Sequence, residues 1–174
     1  MPHIFERAPS ARSKCRGCGQ PTGKDEARFG ERLPNAFGDG EMTLWQHPDC
    51  AAYRRPGAEM EAAAEYAEMV DVGALQSACE TSLASHRICR VGSAERALSG
   101  RAGCRACREL IAKNDWRTPL IFFEDGMFGA SGFAHVGCLS EYCEGEDFLP
   151  ALLHFAVGLS TDEKAEITKV ASSA

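Results

Sequence analysis

Two sets of four potential metal ligands, each made of two close pairs far apart in the sequence, constrain the fold of this chain more than any other feature. The first set is Cys15-Arg16-Gly17-Cys18 and His47-Pro48-Asp49-Cys50, separated by 28 residues, 19–46. The second is Cys104-Arg105-Ala106-Cys107 and His135-Val136-Gly137-Cys138, separated by 27 residues, 108–134. Three thiolates and one imidazole complete the tetrahedral coordination that zinc prefers in a structural site. The sequence therefore predicts two structural zinc ions, one bound by Cys15, Cys18, His47 and Cys50 and the other by Cys104, Cys107, His135 and Cys138.

The ligand sets also bear on catalysis. A catalytic zinc keeps one coordination position open for water, and four strong ligands leave none. The sequence carries no glycine-rich phosphate-binding loop and no nucleophile motif. We therefore expect a protein that is not an enzyme.

The chain length fits a fold that depends on metal. Two modules of roughly 50 residues each have thin cores, and domains of that size usually need a metal or disulfides. Nine cysteines are present, and an odd number with C-x2-C pairs favours metal thiolates in a reducing compartment. There is no long apolar run, so we expect no membrane association and an intracellular location. The Arg- and Ala-rich composition suggests a bacterial source, in which case that location is the cytoplasm, at the nucleoid.

Hydrophobic patterning predicts an α+β fold of two small zinc-stapled modules, each a short antiparallel sheet with a helix, joined by a helical connector. Residues 1–14 are predicted to be irregular, with strands at 26–33, 42–46 and 119–123. A glycine-rich turn is predicted at 124–132, and helices at 57–70 and 73–90. Ser160 and Glu163 form a capping-box pattern that predicts a last helix, to about residue 170. The expected domains are 1–56 (first finger), 57–93 (connector), 94–147 (second finger) and 148–174 (helical tail).

Three cysteines lie outside the two ligand sets. His86 and Cys89 make a third H-x2-C that could complete a metal site with Cys104 and Cys107, but His135 and Cys138 would then be left without a metal. Cys143 is an alternative to Cys138 as the fourth ligand of the second site. We favour the repeated spacing, in which Cys79 and Cys89 are buried helix residues.

Charge is segregated along the chain although the net charge is −6. Residues 1–24 carry five basic residues and one acidic, and residues 95–117 carry six basic and three acidic. Residues 56–94 and 139–174 sum to −4 and −5. Both positive segments surround a C-x2-C pair, which favours an anionic partner at these two places.

An internal repeat joins the two modules at an offset of 89 residues. Glu6-Arg7-Ala8-Pro9-Ser10 matches Glu95-Arg96-Ala97-Leu98-Ser99, and Arg12 matches Arg101. Each module resembles the zinc finger of poly(ADP-ribose) polymerases, whose pattern is C-x2-C, about 28 to 30 residues, H-x2-C. Gly100-Arg101-Ala102-Gly103-Cys104 is similar to the entry of that finger, and Trp45-Gln46-His47 to its exit. The likeness covers about residues 5–55 and 94–144.

The resemblance implies recognition of DNA strand breaks without base reading, and it assigns roles to residues outside the zinc sites. Arg12 and Arg101 match the arginine that holds the phosphate backbone, and Lys14, Arg16 and Arg105 beside the C-x2-C pairs could add phosphate contacts. The residues that stack on the exposed base pair correspond to Phe37 and Met42 in the first module and Phe128 in the second. Trp45 and Phe133 are expected to pack over the zinc sites instead.

Two hypotheses follow for the function. The first is a non-catalytic protein that binds nicks and ends in DNA and recruits a repair enzyme. The second is a zinc-stabilised protein-interaction module without DNA binding, which the net charge and the apolar segment 148–159 favour.

Overall fold

The computed structural model describes residues 3–63 and 66–173. The chain is α+β and divides into two compact units. The first comprises the described residues up to Glu80 together with Phe123–Phe128, and the second comprises Thr81–Phe122 with the described residues from Gly129 onward. None of the helices in the described part of the chain has the length and hydropathy needed to span a membrane.

A three-stranded antiparallel sheet forms the centre of the first unit. Its strands are β1 (Ile4–Arg7), β2 (Ala27–Pro34) and β3 (Glu41–Gln46), in the order β1-β2-β3. The predicted strands at 26–33 and 42–46 are confirmed as β2 and β3. The prediction of an irregular segment at 1–14 is wrong for β1, because Ile4–Arg7 pairs with Ala27–Gly30 and buries Phe5 against Phe29, ring centroids 5.2 Å apart. This pairing depends on residues at least twenty positions away.

Three helices follow the first sheet: α1 (Pro48–Arg54), α2 (Pro56–Ala63) and α3 (Val72–Ala84). Helix α2 ends at Ala63, so the predicted helix over 57–70 is too long. Residues 64 and 65 fall outside the described part, and 67–70 form turns. The predicted helix 73–90 ends early at Ala84, where the Ser85 hydroxyl accepts from the Arg87 N–H and donates to Glu144. A serine that bonds nearby backbone in this way competes with helix continuation.

The second sheet has strands β4 (Glu95–Arg96), β5 (Trp116–Glu124) and β6 (Met127–His135), in the order β4-β5-β6. The predicted strand at 119–123 is confirmed within β5. The predicted glycine-rich turn at 124–132 is wrong, because the turn is only Asp125–Gly126, with φ values of 51° and 73°. Two residues at positive φ match the tight hairpin turn that Asp-Gly favours. Strand β6 therefore begins at Met127.

The last part of the chain contains α4 (Leu139–Tyr142), α5 (Leu149–Phe155) and α6 (Thr161–Ala171). The predicted capping box is confirmed: the Glu163 N–H donates to Ser160 Oγ at 3.2 Å, and the Ser160 N–H donates to the Glu163 carboxylate at 2.8 Å. Ile167 of α6 and Leu152 of α5 are fully buried. Helix α6 packs against the turn 136–138, so the C-terminal helices support the second ligand set.

One carboxylate is buried in the helical layer of the first unit. Glu59 on α2 has no exposed surface. Its Oε2 accepts from the Cys79 thiol at 3.3 Å, and its Oε1 has no hydrogen-bond partner among the described residues. Burial raises the pKa of Glu59 from 4.5 to about 7, against a lowering effect of the Cys79 contact and with a small further rise from Asp49.

Glu59→Gln is expected to stabilise the first unit, by an amount that depends on pH. A carboxyl whose pKa is raised on folding binds its proton more tightly in the folded state, so stability falls as pH rises between 4.5 and about 7. Each pKa unit corresponds to about 1.4 kcal/mol. Denaturant unfolding with excess zinc should show an advantage for the glutamine variant that grows from pH 5 to pH 7 and is constant above. Glu80→Gln, at an exposed position, serves as the control. If Glu59→Gln increased the unfolding free energy by the same amount at every pH, the raised pKa of Glu59 would be contradicted.

Candidate zinc centres and nucleic-acid interface

The first ligand set converges in space as its spacing predicts. The ligand atoms of Cys15, Cys18, His47 and Cys50 all lie within 4.8 Å of one another. His47 Nδ1 is 3.5 Å from Cys18 Sγ and 3.8 Å from Cys50 Sγ. Zn–S and Zn–N bonds of 2.3 and 2.0–2.1 Å at tetrahedral angles place sulfur and nitrogen about 3.6 Å apart. The cluster therefore fits a zinc ion in both donor chemistry and dimensions.

The second ligand set reproduces this geometry. His135 Nδ1 is 3.5 Å from Cys107 Sγ and 3.7 Å from Cys138 Sγ, and the four ligand atoms, with that of Cys104, lie within 4.8 Å of one another. It too could hold a zinc ion. The two clusters differ in exposure, since Cys50 is 2% exposed whereas its counterpart Cys138 is only partly buried.

Backbone hydrogen bonds position each C-x2-C turn, which we call the knuckle (residues 15–18 and 104–107). The Cys15 N–H donates to Gln20 O and the Gly19 N–H to Cys15 O, both at 2.8 Å, and Gly19 has φ 77°. In the second knuckle Arg108 occupies the corresponding position with φ 69°. The Arg16 N–H donates to Trp45 O at 2.9 Å, which attaches the first knuckle to β3 just before His47.

The same backbone bonds recur in the second set, where the Arg105 N–H donates to Phe133 O at 2.8 Å. The histidine N–H of each set also donates to the sulfur of its first cysteine, from His47 to Cys15 at 3.2 Å and from His135 to Cys104 at 3.4 Å. Such N–H donors stabilise thiolate charge. The sequence repeat is thus also a repeat of hydrogen bonding around the ligands.

The ligand residues have shifted pKa values, because their thiolate and imidazole groups are crowded together. The pKa of His47 rises to about 10 because its ring contacts the Cys15 and Cys18 thiolates. Burial would raise the pKa of Cys104, but backbone N–H groups of His135, Cys107 and Ala106 lower it to about 7. Burial, together with the neighbouring Cys107 thiolate, raises the pKa of Cys138 to about 12. Three thiolates can coexist at this distance only beside a cation, which a zinc ion supplies.

Comparison with known proteins points to one kind of zinc finger. No family model matches the chain. Poly(ADP-ribose) polymerase 1 of Oryza sativa subsp. japonica is 28% identical over 141 residues, covering 74% of this chain and 14% of that protein. A poly(ADP-ribose) polymerase of Sarcophaga peregrina is 24% identical over 197 residues (97% and 19%), and polymerase 1 of Caenorhabditis elegans is 36% identical over 50 residues (29% and 5%). The two Cys/His clusters fit tandem PARP-type zinc fingers. The chain spans less than a fifth of the length of each relative.

Each of the two fingers contains a buried arginine that the sequence analysis did not single out. Arg28 on β2 donates to Glu6 and to Ser13 Oγ, and its guanidinium lies 3.7 Å from the centroid of the Trp45 ring. In the second finger Arg117 donates to Glu95 at 2.8 Å and lies 3.8 Å from the Phe133 ring centroid. Trp45 and Phe133, which were expected to pack over the zinc sites, are only partly buried, and each ring covers an arginine.

The offset of 89 residues contained the signal for these arginines. Arg28 and Arg117 differ in number by 89, as do Glu6 and Glu95. A systematic search for identical residues at that offset would have found the pairs. Each ion pair joins the first strand of its sheet to the second.

The predicted phosphate-contacting residues lie on the surface of their fingers. Arg12, Lys14, Arg16, Arg101 and Arg105 are all exposed. Beside the first knuckle a cleft of about 530 Å³ is lined by Ser13, Lys14, Cys15, Arg16, Gly19, Thr43 and Trp45. Arg105 differs from the others because its Nε donates to Ser131 O at 3.1 Å, which fixes its direction. These positions leave the cationic groups accessible to an anionic partner.

The three predicted stacking residues meet at a second cleft, which we call the apolar cleft. It lies within the first unit, has a volume of about 390 Å³, and is lined by Arg16, Asn35, Phe37, Met42, Leu44, Gly126, Met127 and Phe128. Phe37 is 71% exposed on the loop between β2 and β3, where its N–H donates to Asn35 Oδ1. Phe128 lies on β6, not in a turn, and stacks on Phe123 with ring centroids 4.9 Å apart.

The remaining cysteines take no part in either cluster. Among the described residues the metal-capable groups are the two sets above, so the alternative with His86 and Cys89 is not formed. Cys79 is buried and donates to Glu59 and to Pro56 O. Cys89 is only partly buried and lies in a 3-10 turn, not in the predicted helix. Cys143 is fully buried, and burial raises its pKa to about 12.

Proposed function

We propose that this protein is a non-catalytic zinc-finger protein that binds DNA strand breaks without reading base sequence. The observation that supports it most is the apolar cleft, which groups Phe37, Met42 and Phe128 with the exposed Arg16 at one place. A nick or an end exposes the face of a base pair that intact duplex hides. A flat apolar surface beside a cation suits that face and its adjoining phosphate.

The phosphate part of the proposal rests on accessible charge. Arg12, Lys14 and Arg16 surround the first knuckle, and Arg101 and Arg105 the second, and all five side chains are exposed. Contacts of this kind hold a nucleic acid in position without distinguishing its sequence. The net charge of −6 does not oppose them, because segments 56–94 and 139–174 sum to −4 and −5 and the rest of the chain is net positive.

The stacking part rests on the exposure of Phe37. A phenylalanine that is 71% exposed on a loop contributes little to folding, since most of its ring stays in water. Stacking of an aromatic ring on a base is worth about 1–3 kcal/mol. Met42 and Met127 lie in the same cleft and offer flexible apolar surface that adapts to the base-pair face.

We further propose that the protein recruits a separate repair enzyme to the break and acts inside the cell, at the nucleoid if the source is bacterial. The alternative is a protein-interaction module, and two exposed leucines of the second finger favour it. Leu98 is 82% exposed and Leu110 is 66% exposed. A chain that binds protein alone would show no preference among DNA forms.

Fluorescence anisotropy with labelled DNA tests the proposal. The zinc-loaded protein should bind nicked and blunt-ended duplexes at least ten-fold more tightly than a covalently closed duplex of the same sequence. A plot of log affinity against log salt concentration should have a negative slope, to which each phosphate contact contributes about 0.9. Equal and negligible binding to all three DNAs would rule out the strand-break proposal and favour the protein-interaction module.

Two variants separate the phosphate and stacking contributions in the same assay. Arg12→Ala with Arg101→Ala should weaken binding to every broken DNA and reduce the salt slope by about 1.8, for two lost contacts. Phe37→Ala should reduce the preference for broken DNA by about ten-fold, which is about 1.4 kcal/mol of stacking. The control is Lys169→Ala, in the acidic tail, which should change neither the affinity nor the preference for broken DNA. If the double arginine variant bound DNA as tightly as this control, Arg12 and Arg101 would not belong to the interface.

A further inference from the structure

The apolar cleft lies where two hairpins of the first unit meet. It is lined by Phe37 and Met42 from the β2–β3 hairpin, and by Met127 and Phe128 from the start of β6. The hairpins approach closely, because a Cβ placed on Gly126 would lie 2.7 Å from Met42 Sδ and 3.0 Å from Met42 Cε. Apolar side chains from two separate hairpins therefore line one cleft, which suits a ring that enters between them.

Phe128 is held in the cleft by a chain of contacts. Its ring packs on Phe123 with centroids 4.9 Å apart, and the Arg55 guanidinium lies 4.0 Å from the Phe123 ring centroid. Arg55 is in turn fixed by the buried Glu31 carboxylate, to which its Nη2 donates at 2.7 Å. A surface that is already ordered loses less entropy when a ligand binds. Phe128 is thus a preformed stacking surface.

A second cleft adjoins the apolar cleft through Arg16, which lines both. It is the cleft of about 530 Å³ beside the first knuckle, and we call it the cationic cleft. Lys14 and Arg16 supply exposed positive charge, and Ser13 and Thr43 supply hydroxyl groups. Ser13 Oγ accepts from Arg28 Nη1 at 3.1 Å, which leaves the hydroxyl proton to donate. Cations and hydroxyl donors in one cleft suit a phosphate group.

An apolar cleft beside a cationic cleft has the features of a site for one nucleotide. A base stacks on aromatic side chains, and its phosphate binds arginine, lysine and hydroxyl groups. The apolar cleft, of about 390 Å³, is within the range of about 300–1,000 Å³ that is usual for small-molecule sites. A base in a duplex must be unpaired and unstacked before it enters a pocket, and that cost is least for a base that is already single-stranded.

We propose that the two clefts together bind one unpaired, phosphate-bearing nucleotide at the end of a broken strand, with the base in the apolar cleft and the phosphate in the cationic cleft. This inference rests on the proposed strand-break function and specifies the form of the break. Asn35 adds a polar group to the apolar cleft: its Oδ1 accepts from the Phe37 N–H at 3.0 Å, and its NH₂ group can donate to a base edge. Because all bases carry acceptors, this contact distinguishes unpaired from paired nucleotides and not one base from another.

Anisotropy titrations of the full chain, loaded with two zinc ions, test the inference with hairpin DNAs, each of which offers one end. Three phosphorylated hairpins share a sequence: one is blunt, one has a single unpaired thymidine, and one has an abasic residue in place of that thymidine. The thymidine overhang, on the 5′ or the 3′ strand, should bind at least about ten-fold more tightly than the blunt end. The abasic overhang keeps the added phosphate but has no base to stack, so it should lose most of this gain.

The outcomes separate the inference from the proposed function. If blunt and overhanging ends bound equally, and both more tightly than a covalently closed DNA, the inference would be overturned and the strand-break function would stand. If none of these DNAs bound, both would be overturned. An abasic overhang that bound as tightly as the thymidine overhang would show that phosphate alone explains the gain. Free thymidine monophosphate should compete much more weakly than the overhang DNA, and equal competition would assign the clefts to free nucleotides.

Met127→Ala tests the apolar cleft itself. Met127 is 52% exposed and lines the cleft, whereas Val157 is 56% exposed, belongs to the second unit and lines neither cleft. Met127→Ala should reduce the preference for the overhang over the blunt end and retain the preference for the blunt end over closed DNA, which Phe37 supports. The matched control Val157→Ala should change neither preference. A Met127→Ala protein with the full overhang preference would place the base elsewhere and overturn the inference.

A fluorescent base gives a direct readout in the wild-type chain, so the test does not depend on the folding of a variant. With 2-aminopurine as the unpaired base, fluorescence should fall when the protein binds, because stacking on an aromatic ring such as Phe128 quenches it. Unchanged fluorescence at saturating protein would show that the base stays in solvent, and the inference would then be wrong.

Discussion

Cys18→Ala is expected to release zinc from the first site and to unfold the sheet and helix that the site holds together. Cys18 Sγ is one corner of the cluster, 3.5 Å from His47 Nδ1. Structural zinc sites of this kind contribute about 10–16 kcal/mol at neutral pH, whereas the whole stability of a domain is about 5–15 kcal/mol. The core of the first finger is small, centred on Phe5, Phe29, Ala51 and Ala52, and cannot compensate for the loss.

Metal analysis and circular dichroism test this expectation together. The zinc content should fall from two ions per chain to one, with loss of part of the ordered secondary structure, and Cys107→Ala should do the same at the second site. Cys89→Ala is the matched control, because Cys89 belongs to neither cluster. A Cys18→Ala protein that kept two zinc ions would mean that another group completes the site.

Arg55→Ala is expected to cost about 3–5 kcal/mol of unfolding free energy, the second largest effect. Glu31 on β2 has a side chain that is 2% exposed. Arg55 is its partner: Nε donates to Oε1 and Oε2 at 3.1 and 2.9 Å, and Nη2 donates to Oε1 at 2.7 Å. Removal of the guanidinium leaves a carboxylate buried without its counter-ion, and that penalty exceeds the value of the pair itself.

An exposed ion pair between β2 and β3 supplies the comparison. Arg32 and Glu41 are 3.5 Å apart, and their side chains are 41% and 43% exposed. Arg32→Ala should therefore cost less than about 1 kcal/mol. Urea unfolding of the two variants measures the difference, and Glu31→Gln added to Arg55→Ala should recover part of the loss. Equal costs for Arg32→Ala and Arg55→Ala would show that Glu31 finds another partner or water.

The spacing of cysteine and histidine was sufficient to predict both metal clusters, because a tetrahedral site fixes the identity and number of its ligands regardless of the intervening chain. Strands β2 and β3 were also predictable, since residues 26–33 alternate and end at Pro34, and β3 follows a run of turn residues and leads directly into the ligand His47. The capping box at Ser160 is a local pattern and was found for the same reason. Features governed by a few neighbouring residues could be read from the sequence.

Features that depend on distant residues could not be read in this way. Strand β1 forms because Phe5 pairs with Phe29 on β2, and no local sequence pattern predicts that pairing. Phe128 was placed in a turn because glycines surround it, whereas Asp125–Gly126 closes the hairpin and leaves the other glycines in β6. The burial of Gln46 and of Glu59 was also invisible, because a polar side chain gives no sign in the sequence that it lies inside.

The distance in sequence between the two halves of each ligand set has a mechanical consequence. A metal bound by Cys18 and His47 closes residues 19–46 into a ring, and a second metal does the same for residues 108–134. Force applied to the ends of the chain would bypass these rings until a metal–ligand bond breaks. About 90–100 Å of extended polypeptide is held back in each ring, so tension along the chain would be borne by coordination bonds and not by the small cores of the two units.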